Sequence, residues 1–418
     1  MRPIASAWLG RLLVLAVVWF LAAAAELHAR EIFVEQERGH DRNPGTREAP
    51  VRSIRRAVQM AQEGDTIHLM PPGAVYREMI TLIDKRRITI EGHNCTISGA
   101  EKLPSDPARW DKVGKRLYRI RLKRTPQDRH LLVVNGRSVT MGRTKYTIQA
   151  ARAAARRGGW ESERDALIDQ FPKPSELAEG QFAWEPIDRR SGWLYVKGSL
   201  ANLEWAVRTQ GVYTSGNTSD ITIRNLKVRH VLNDGFNFHG NAQNIRLFNV
   251  TAYECFDNAI SPHGACSFTV EEAQFLRSET AVANDFLTET RFLRCLIGGS
   301  QGAEIMIIGG KHLFEQCVIR STAPVAMRLS YRKPGPKRPV AWKEIEMSGK
   351  DPAMRPEYTF RECTVMAADG KPSIVLIEAG VNVTFMRCAF RRMRFQVHPA
   401  ARVEIIDCTL DGEPLRIE

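Results

Sequence analysis

Two histidines, His239 and His263, stand 24 residues apart in the segments NDGFNFHG (Asn233 to Gly240) and FDNAISPHG (Phe256 to Gly264). Asp285 closes a third segment, TAVAND (Thr280 to Asp285), 22 residues further on. Imidazole is the side chain whose unperturbed pKa suits proton transfer near neutrality, and a carboxylate beside it can fix its tautomer. Asp234, Asp257 and Glu279 precede the same three segments and form a second, acidic series. Turns are rich in Asp and Asn for conformational reasons, so that series has an ordinary explanation. Histidine has no turn preference that would place two copies in register. The expected chemistry is acid–base work by His263 and His239, on a ligand contacted by Asn237, Asp234, Asp257, Asn284, Asp285, Arg277 and Lys311.

Residues at that spacing need a scaffold of the same period. An apolar framework recurs in ITIRNLKV (Ile221 to Val228), IRLFNVTA, FTVEEAQF, TRFLRCLI and HLFEQCVI, and again in YTFRECTV, VTFMRCAF and VEIIDCTL. Its sixth position is Leu226, Val250, Ala273, Cys295, Cys317, Cys363, Cys388 and Cys408, with gaps of 24, 23, 22, 22, 46, 25 and 20. The gap of 46 is two periods. Alternation of period two inside such a repeat means short strands. Turn residues separate them, and no crossover is long enough for a helix. A unit of this kind cannot bury its apolar face alone, so neighbours stack on a shared core. The fold class expected is all-β, a parallel β-helix of about ten rungs. In GFNFHG the alternation sends Phe236 and Phe238 inward and Asn237 and His239 outward, and the next rung likewise puts Ser261 and His263 outside. The two imidazoles should then lie about one strand spacing apart.

The chain opens with Arg2 and Arg11 ahead of an apolar run, Leu12 to Ala25, and a small-residue site at Leu27-His28-Ala29. Residues 1–29 read as a signal peptide, and the run is shorter than a membrane span requires. The mature protein is expected in the periplasm or secreted, as a monomer. The formal charge is +13, and loss of two Arg and one Glu with the leader makes it +12. A basic balance favours an anionic partner. Nothing resembles a nucleic-acid module and export disfavours nucleic acid, so an acidic polysaccharide is the expected partner. The five ladder cysteines read as small apolar core residues, and Cys255 and Cys266 stand as a separate possible pair.

Residues 30–100 hold an N-terminal cap. Ser53 can cap a helix carrying Ile54, Ala57, Val58 and Ala61 at helical spacing, which would cover the open end of the solenoid. This run, G-x-D-x-N-P-G-T through P-x-x-S-I-x-x-A-V-x-x-A-x-x-G-D-T-I to PGAVYRE, together with the ITIEGHNCTISG rung, resembles the cap of right-handed parallel β-helix proteins of the pectate-lyase superfamily. The resemblance implies a right-handed solenoid and an exported carbohydrate protein. The superfamily hosts lyases, epimerases, hydrolases and non-catalytic members. Residues 101–204 break the repeat. Strands are expected at Trp110 to Leu122, His130 to Val139 and Ser191 to Gly198, with a helical basic segment at Tyr146 to Phe171. Trp160, Trp184 and Trp193 could line a sugar site or pack that β-rich insertion, and packing is the expectation. The main stack, 205–418, is interrupted by a basic loop at 331–343, YRKPGPKRPVAWK.

The rung SPHG resembles in part the D-P-H-D motif of mannuronan epimerases, in which the histidine is the proposed base. The match covers Pro262 and His263, while Ser261 and Gly264 stand where that motif has acidic residues. Abstracting the proton on carbon 5 of a uronate needs a base and a cation or donor for the developing enolate. Arg277, Lys311 and the basic loop are the candidates for the cation. Expelling the 4-linked sugar gives β-elimination and returning the proton gives epimerisation, of which elimination needs fewer groups. Alternatives are a glycoside hydrolase using paired carboxylates from Asp234, Asp257 and Asp285, and a non-catalytic glycan-binding solenoid. A pair of these carboxylates could also hold calcium, as in several lyases of this fold, but no Asp-rich loop of metal-binding spacing is present and the metal is left unassigned.

Overall fold

Each rung turns a corner with a single left-handed residue. Asn225, Asn249, Glu272, Arg294, Gln316, Glu362, Arg387 and Asp407 all have φ between 49° and 55°. That conformation costs an L-residue about 1 kcal/mol or more and is easiest for Asn. The stack helps to offset it, since Asn249 Nδ2 donates to Asn225 Oδ1 at 2.7 Å in the rung below. One such residue bends the chain sharply, so the next side chain drops into the interior. Those next residues are the sixth-position ladder, Leu226 to Cys408, and every one is buried.

The structure, a computed structural model, describes residues 29–126, 129–139, 172–333, 339–368 and 370–417. The apolar leader, the segment Tyr146 to Phe171 with Trp160, and the middle of the basic loop lie outside the described residues. Three parallel sheets form a β-helix. The first sheet has eleven strands, from Glu31–Glu35 to Arg402–Ile406; the second has nine, from Ile80–Ile83 to Met393–Val397; the third has eleven, from Val75–Tyr76 to Glu413–Pro414. The stack is therefore somewhat taller than ten rungs. Only its last pair, Thr409–Leu410 with Glu413–Pro414, runs antiparallel.

Runs of like residues fill parts of the interior files. Phe292, Phe314, Phe360 and Phe385 stack with ring centroids 4.7, 4.9 and 5.3 Å apart. The eight cysteines are free and buried. Cys255 and Cys266 lie at opposite ends of the strand Asn258–Pro262, which keeps them from pairing. Burial pushes the Cys255 thiol well up and that of Cys266 up to about 12.

The cap helix, Ile54–Met60, is held as the sequence implies, with Ser53 Oγ accepting from Arg56 N at 3.2 Å. Ile54, Ala57 and Val58 are buried against the first rungs. The insertion leaves the stack unbroken, because Ile80–Ile83 pairs directly with Val212–Ser215 across it. It forms two four-stranded antiparallel sheets. Trp184 packs inside them against His130 and Trp205, with centroids 4.8 and 5.6 Å away, and Trp193 lies under Arg119. The end of the expected basic loop is not loop but the start of a helix, Pro339–Ser348. Ile345 joins Ala265, Phe286 and Leu287 in a small apolar cluster outside the second sheet. Among the described residues no helix is long and apolar enough to cross a membrane.

Candidate functional site

The second sheet sets the site's register. Phe238 pairs with Pro262 and Ile260 with Val282, so Phe238, Pro262 and Asn284 form one inward file. The outward file beside it is His239, His263 and Asp285, and Asp285 in turn pairs with Ile308. The two imidazoles stack with centroids 4.3 Å apart and planes 11° from parallel. Their side chains are 25% and 28% exposed, enough to meet a ligand from outside.

Each histidine has its own carboxylate. His239 Nδ1 lies 2.9 Å from Glu344 Oε1, and no described residue partners its Nε2. His263 Nε2 is 2.9 Å from Ser261 Oγ, and its Nδ1 is 3.9 Å from Asp285 Oδ2. Burial works against a charged His263, but the Asp285 carboxylate, with Asp234 and Glu344 beyond it, outweighs burial and raises its pKa above the ordinary value. Glu344 comes from the Pro339–Ser348 helix and is itself buried, with no hydrogen-bond partner for Oε2 among the described residues. Gly264 makes room for it: a Cβ there would run into Glu344 Oε2 and stand 2.7 Å from the Glu344 Cβ, and φ is +66°.

The acidic series sits at the other end of the same strands and is not one file. Asn258 pairs with Thr280, which puts Asp257 in line with Glu279 and Asp234 in the neighbouring file with Asn258. Asp234 is 2% exposed and accepts four hydrogen bonds, from Asn233 Nδ2, Asn237 Nδ2, Asn258 N and Asn258 Nδ2. Burial, and then the Asp257 carboxylate, push its pKa up to about 7. Asp257 faces Arg129 of the insertion, Nη2 to Oδ2 3.3 Å. Asn237 points outward as its alternation implies but is buried and tied to Asp234.

Three expected ligand contacts are placed elsewhere. Asn284 shares the parity of Val282 and points into the core, where its Nδ2 meets Thr290 Oγ1 and His312 Nδ1, both at 3.2 Å. Arg277 belongs to the corner before the second sheet and pairs with Glu254 at 3.0 Å. Burial opposes that carboxylate's charge, yet His230, the Ser138 backbone and Arg277 hold Glu254 down at about 2. Lys311 lies on the first sheet and pairs with Glu357 at 3.4 Å. The helix Pro339–Ser348, which takes up the end of the basic loop, presents Glu344 to the histidines. Sequence reasoning missed Glu344 and Arg129, because both reach the site from outside the repeat and nothing periodic marks them.

The described residues gather no cluster of three or more His, Cys, Asp or Glu side chains fit to hold a metal ion. The carboxylates suggested for calcium are already engaged, Asp234 by four donors and Asp257 by Arg129, so they do not fit that role.

No protein-family model matches the sequence, and no curated protein matches it. Among solved structures, a complex of XylC with xylose superposes with a TM-score of 0.48 at 13% identity, over 88% of this chain and 70% of that one. A GH136 lacto-N-biosidase from Eubacterium ramulus gives 0.39 at 9% identity, over 94% and 69%. A rhamnogalacturonan lyase gives 0.36 at 9%, over 87% and 74%. Superpositions this loose carry no weight in assigning an activity, and the chemistry rests on the side chains above.

Proposed function

We propose that the protein is an exported enzyme acting on an acidic polysaccharide, in which His239 takes a proton from a sugar lying on the outer face of the second sheet. The observation that carries this reading is the His239–Glu344 pair at 2.9 Å with Nε2 left unengaged on a partly exposed ring. A carboxylate on Nδ1 keeps the proton there and turns the Nε2 lone pair outward, as a general base requires. His263 takes the other role. Its raised pKa favours the imidazolium, which sets a positive charge 4.3 Å from the base, where an enolate would develop. Arg277 and Lys311, expected to supply that charge, are engaged by Glu254 and Glu357. β-Elimination follows if the 4-linked sugar leaves, and epimerisation if the proton returns to the opposite face.

A second reading, glycoside hydrolysis, is favoured by one observation. Asp234, pushed up to about 7, stands beside Asp257, which faces Arg129, so two carboxyls with different surroundings lie side by side. Four donors on a buried Asp234 suit a clamp between rungs better than an acid that must reach a sugar.

The products distinguish the two. Digestion of a panel of acidic polysaccharides by the wild type and His239→Ala is expected to give ultraviolet-absorbing unsaturated ends only with the wild type. New reducing ends without that absorbance, kept by His239→Ala and lost by Asp257→Asn, would replace this reading with hydrolysis.

A further inference from the structure

The outer face of the second sheet continues past the histidines toward the N-terminal cap. Phe238 pairs with Thr214, and Thr214 with Leu82. His239 therefore stands two strand spacings, roughly 10 Å, from Ile83 along one outward file. The neighbouring file runs from Asn237 through Tyr213 to Thr81. Tyr213 bridges the interval, with its ring centroid 5.9 Å from that of His239.

At the far end of this path lies an open cavity of about 800 Å³. Its floor is apolar, with Val58, Met79 and Ile83, and Ile83 is 50% exposed, an unusual place for a large aliphatic side chain. Four cations surround it, Arg55, Arg77, Lys85 and Arg208, against one acid, Glu78. Two of the cations are neutralised nearby, Arg77 by Glu204 at 2.7 Å and Arg208 by Glu101. The other two form no ion pair among the described residues, and Arg55 has only the longer-range attraction of the Asp41 carboxylate, which is bonded to Ser53. Lys85 Nζ donates only to the Ala61 carbonyl, at 3.0 Å, and the Arg55 guanidinium makes no hydrogen bond or ion pair among the described residues. Glu78 does not offset them, because its carboxyl is turned to the cap helix, accepting from Ile54 N at 3.0 Å. Burial raises its pKa above the ordinary value.

We propose that this cavity is a subsite for an anionic sugar unit of the same chain whose reacting unit lies at His239, with Ile83 and Met79 under the sugar ring and Lys85 and Arg55 on its charged substituent. The proposal rests on the proposed function for the direction of the chain, and it supplies what the histidine site does not show: a reason for the substrate to be acidic. Binding along this path crosses Tyr213, whose partly exposed ring is a platform for the apolar face of the intervening sugar.

The test is equilibrium binding, by titration calorimetry, of an oligogalacturonate, its methyl-esterified neutral form and a sulfated oligosaccharide of matched length. The proteins are the wild type, Arg55→Ala and Lys85→Ala. The Arg55 side chain is exposed, so its substitution leaves the fold intact even if loss of the Lys85 contact with Ala61 does not. The expected result is that an anionic probe binds more tightly than the neutral ester and weakens with salt. Each cation substitution should cost that probe on the order of tenfold, with no effect on the neutral ester. Preference for the oligogalacturonate identifies a carboxylate as the anion read, and preference for the sulfated probe identifies a sulfate. Equal affinity for charged and neutral probes, or indifference to both substitutions, overturns the proposal. Failure of the catalytic reading looks different: intact anion binding with no turnover.

Discussion

Replacing Gly264 by alanine tests whether the turn after the SPHG rung exists to admit Glu344. Two costs add at this position. The backbone sits at φ +66°, where an alanine loses roughly 1–2 kcal/mol. The new Cβ would also run into Glu344 Oε2 and stand 2.7 Å from Glu344 Cβ. The first contact can be relieved by rotating the carboxylate, but the second cannot, so the helix Pro339–Ser348 has to shift, with an overpacking cost of about 1–3 kcal/mol. The sum is about 2–5 kcal/mol. At about 2 cal/mol/K per residue over roughly 390 residues, unfolding entropy near 0.8 kcal/mol/K converts this to a fall in Tm of about 2–6 °C. Gly73 supplies the control, since its φ is +78° and a Cβ there would have nothing within 4 Å. Gly73→Ala should show the backbone cost alone. Scanning calorimetry of Gly264→Ala, Gly73→Ala, Glu344→Gly and the double variant Gly264→Ala/Glu344→Gly is the assay. Removing the Glu344 Cβ should abolish the overpacking, so that Gly264→Ala costs no more in the Glu344→Gly background than Gly73→Ala costs in the wild type, while turnover stays lost in every variant that disturbs Glu344. If Gly264→Ala costs no more than Gly73→Ala and keeps full turnover, Glu344 is not seated on His239 as described.

Three further outcomes are expected. The folded pKa of His263 is raised above its unfolded value near 6.5, so its contribution to stability is full below that pH and fades as pH rises through the folded value; the Tm advantage of wild type over His263→Gln should therefore be larger at about pH 6 than at about pH 9, and a constant difference would remove Asp285 as its partner. Native protein should leave all eight cysteines unreactive to a thiol reagent, and unfolded protein should expose eight free thiols; fewer than eight after unfolding without reductant would mean a bridge forms. Phe314→Ala, in the middle of the phenylalanine stack and fully buried, should cost about 3–5 kcal/mol in denaturant titration, whereas a loss under about 1 kcal/mol would mean the rungs collapse to fill the gap.

The fold is legible in the sequence because a solenoid writes its geometry once per turn. The sixth-position ladder from Leu226 to Cys408 marks where each corner drops a side chain inward, and the alternation in NDGFNFHG is enough to send His239 outward. Parity also explains the main misplacement. Adjacency in the chain groups Asn284 with Asp285, but neighbours on a strand face opposite ways, and the file through Pro262 sends Asn284 inside to His312. Burial holds that His312 down at about 4, a neutral core histidine with both ring nitrogens engaged. The partners of the site are not legible. Glu344 lies 81 residues beyond His263 on a helix that interrupts the repeat, and Arg129 belongs to the insertion. Excursions from a solenoid fold back onto its face by tertiary packing, such as Ile345 against Phe286 and Leu287, and that packing leaves no period to read.

The central claim is that His239, held by Glu344, moves the proton. The most direct test is the initial rate of unsaturated-uronate formation, read by ultraviolet absorbance, for the wild type, His239→Ala and Glu344→Gln on one acidic polysaccharide. The account predicts that His239→Ala falls by about 10²–10⁴-fold and that Glu344→Gln is impaired as well, with the maximum of its pH–rate profile displaced. Full activity in His239→Ala would contradict it.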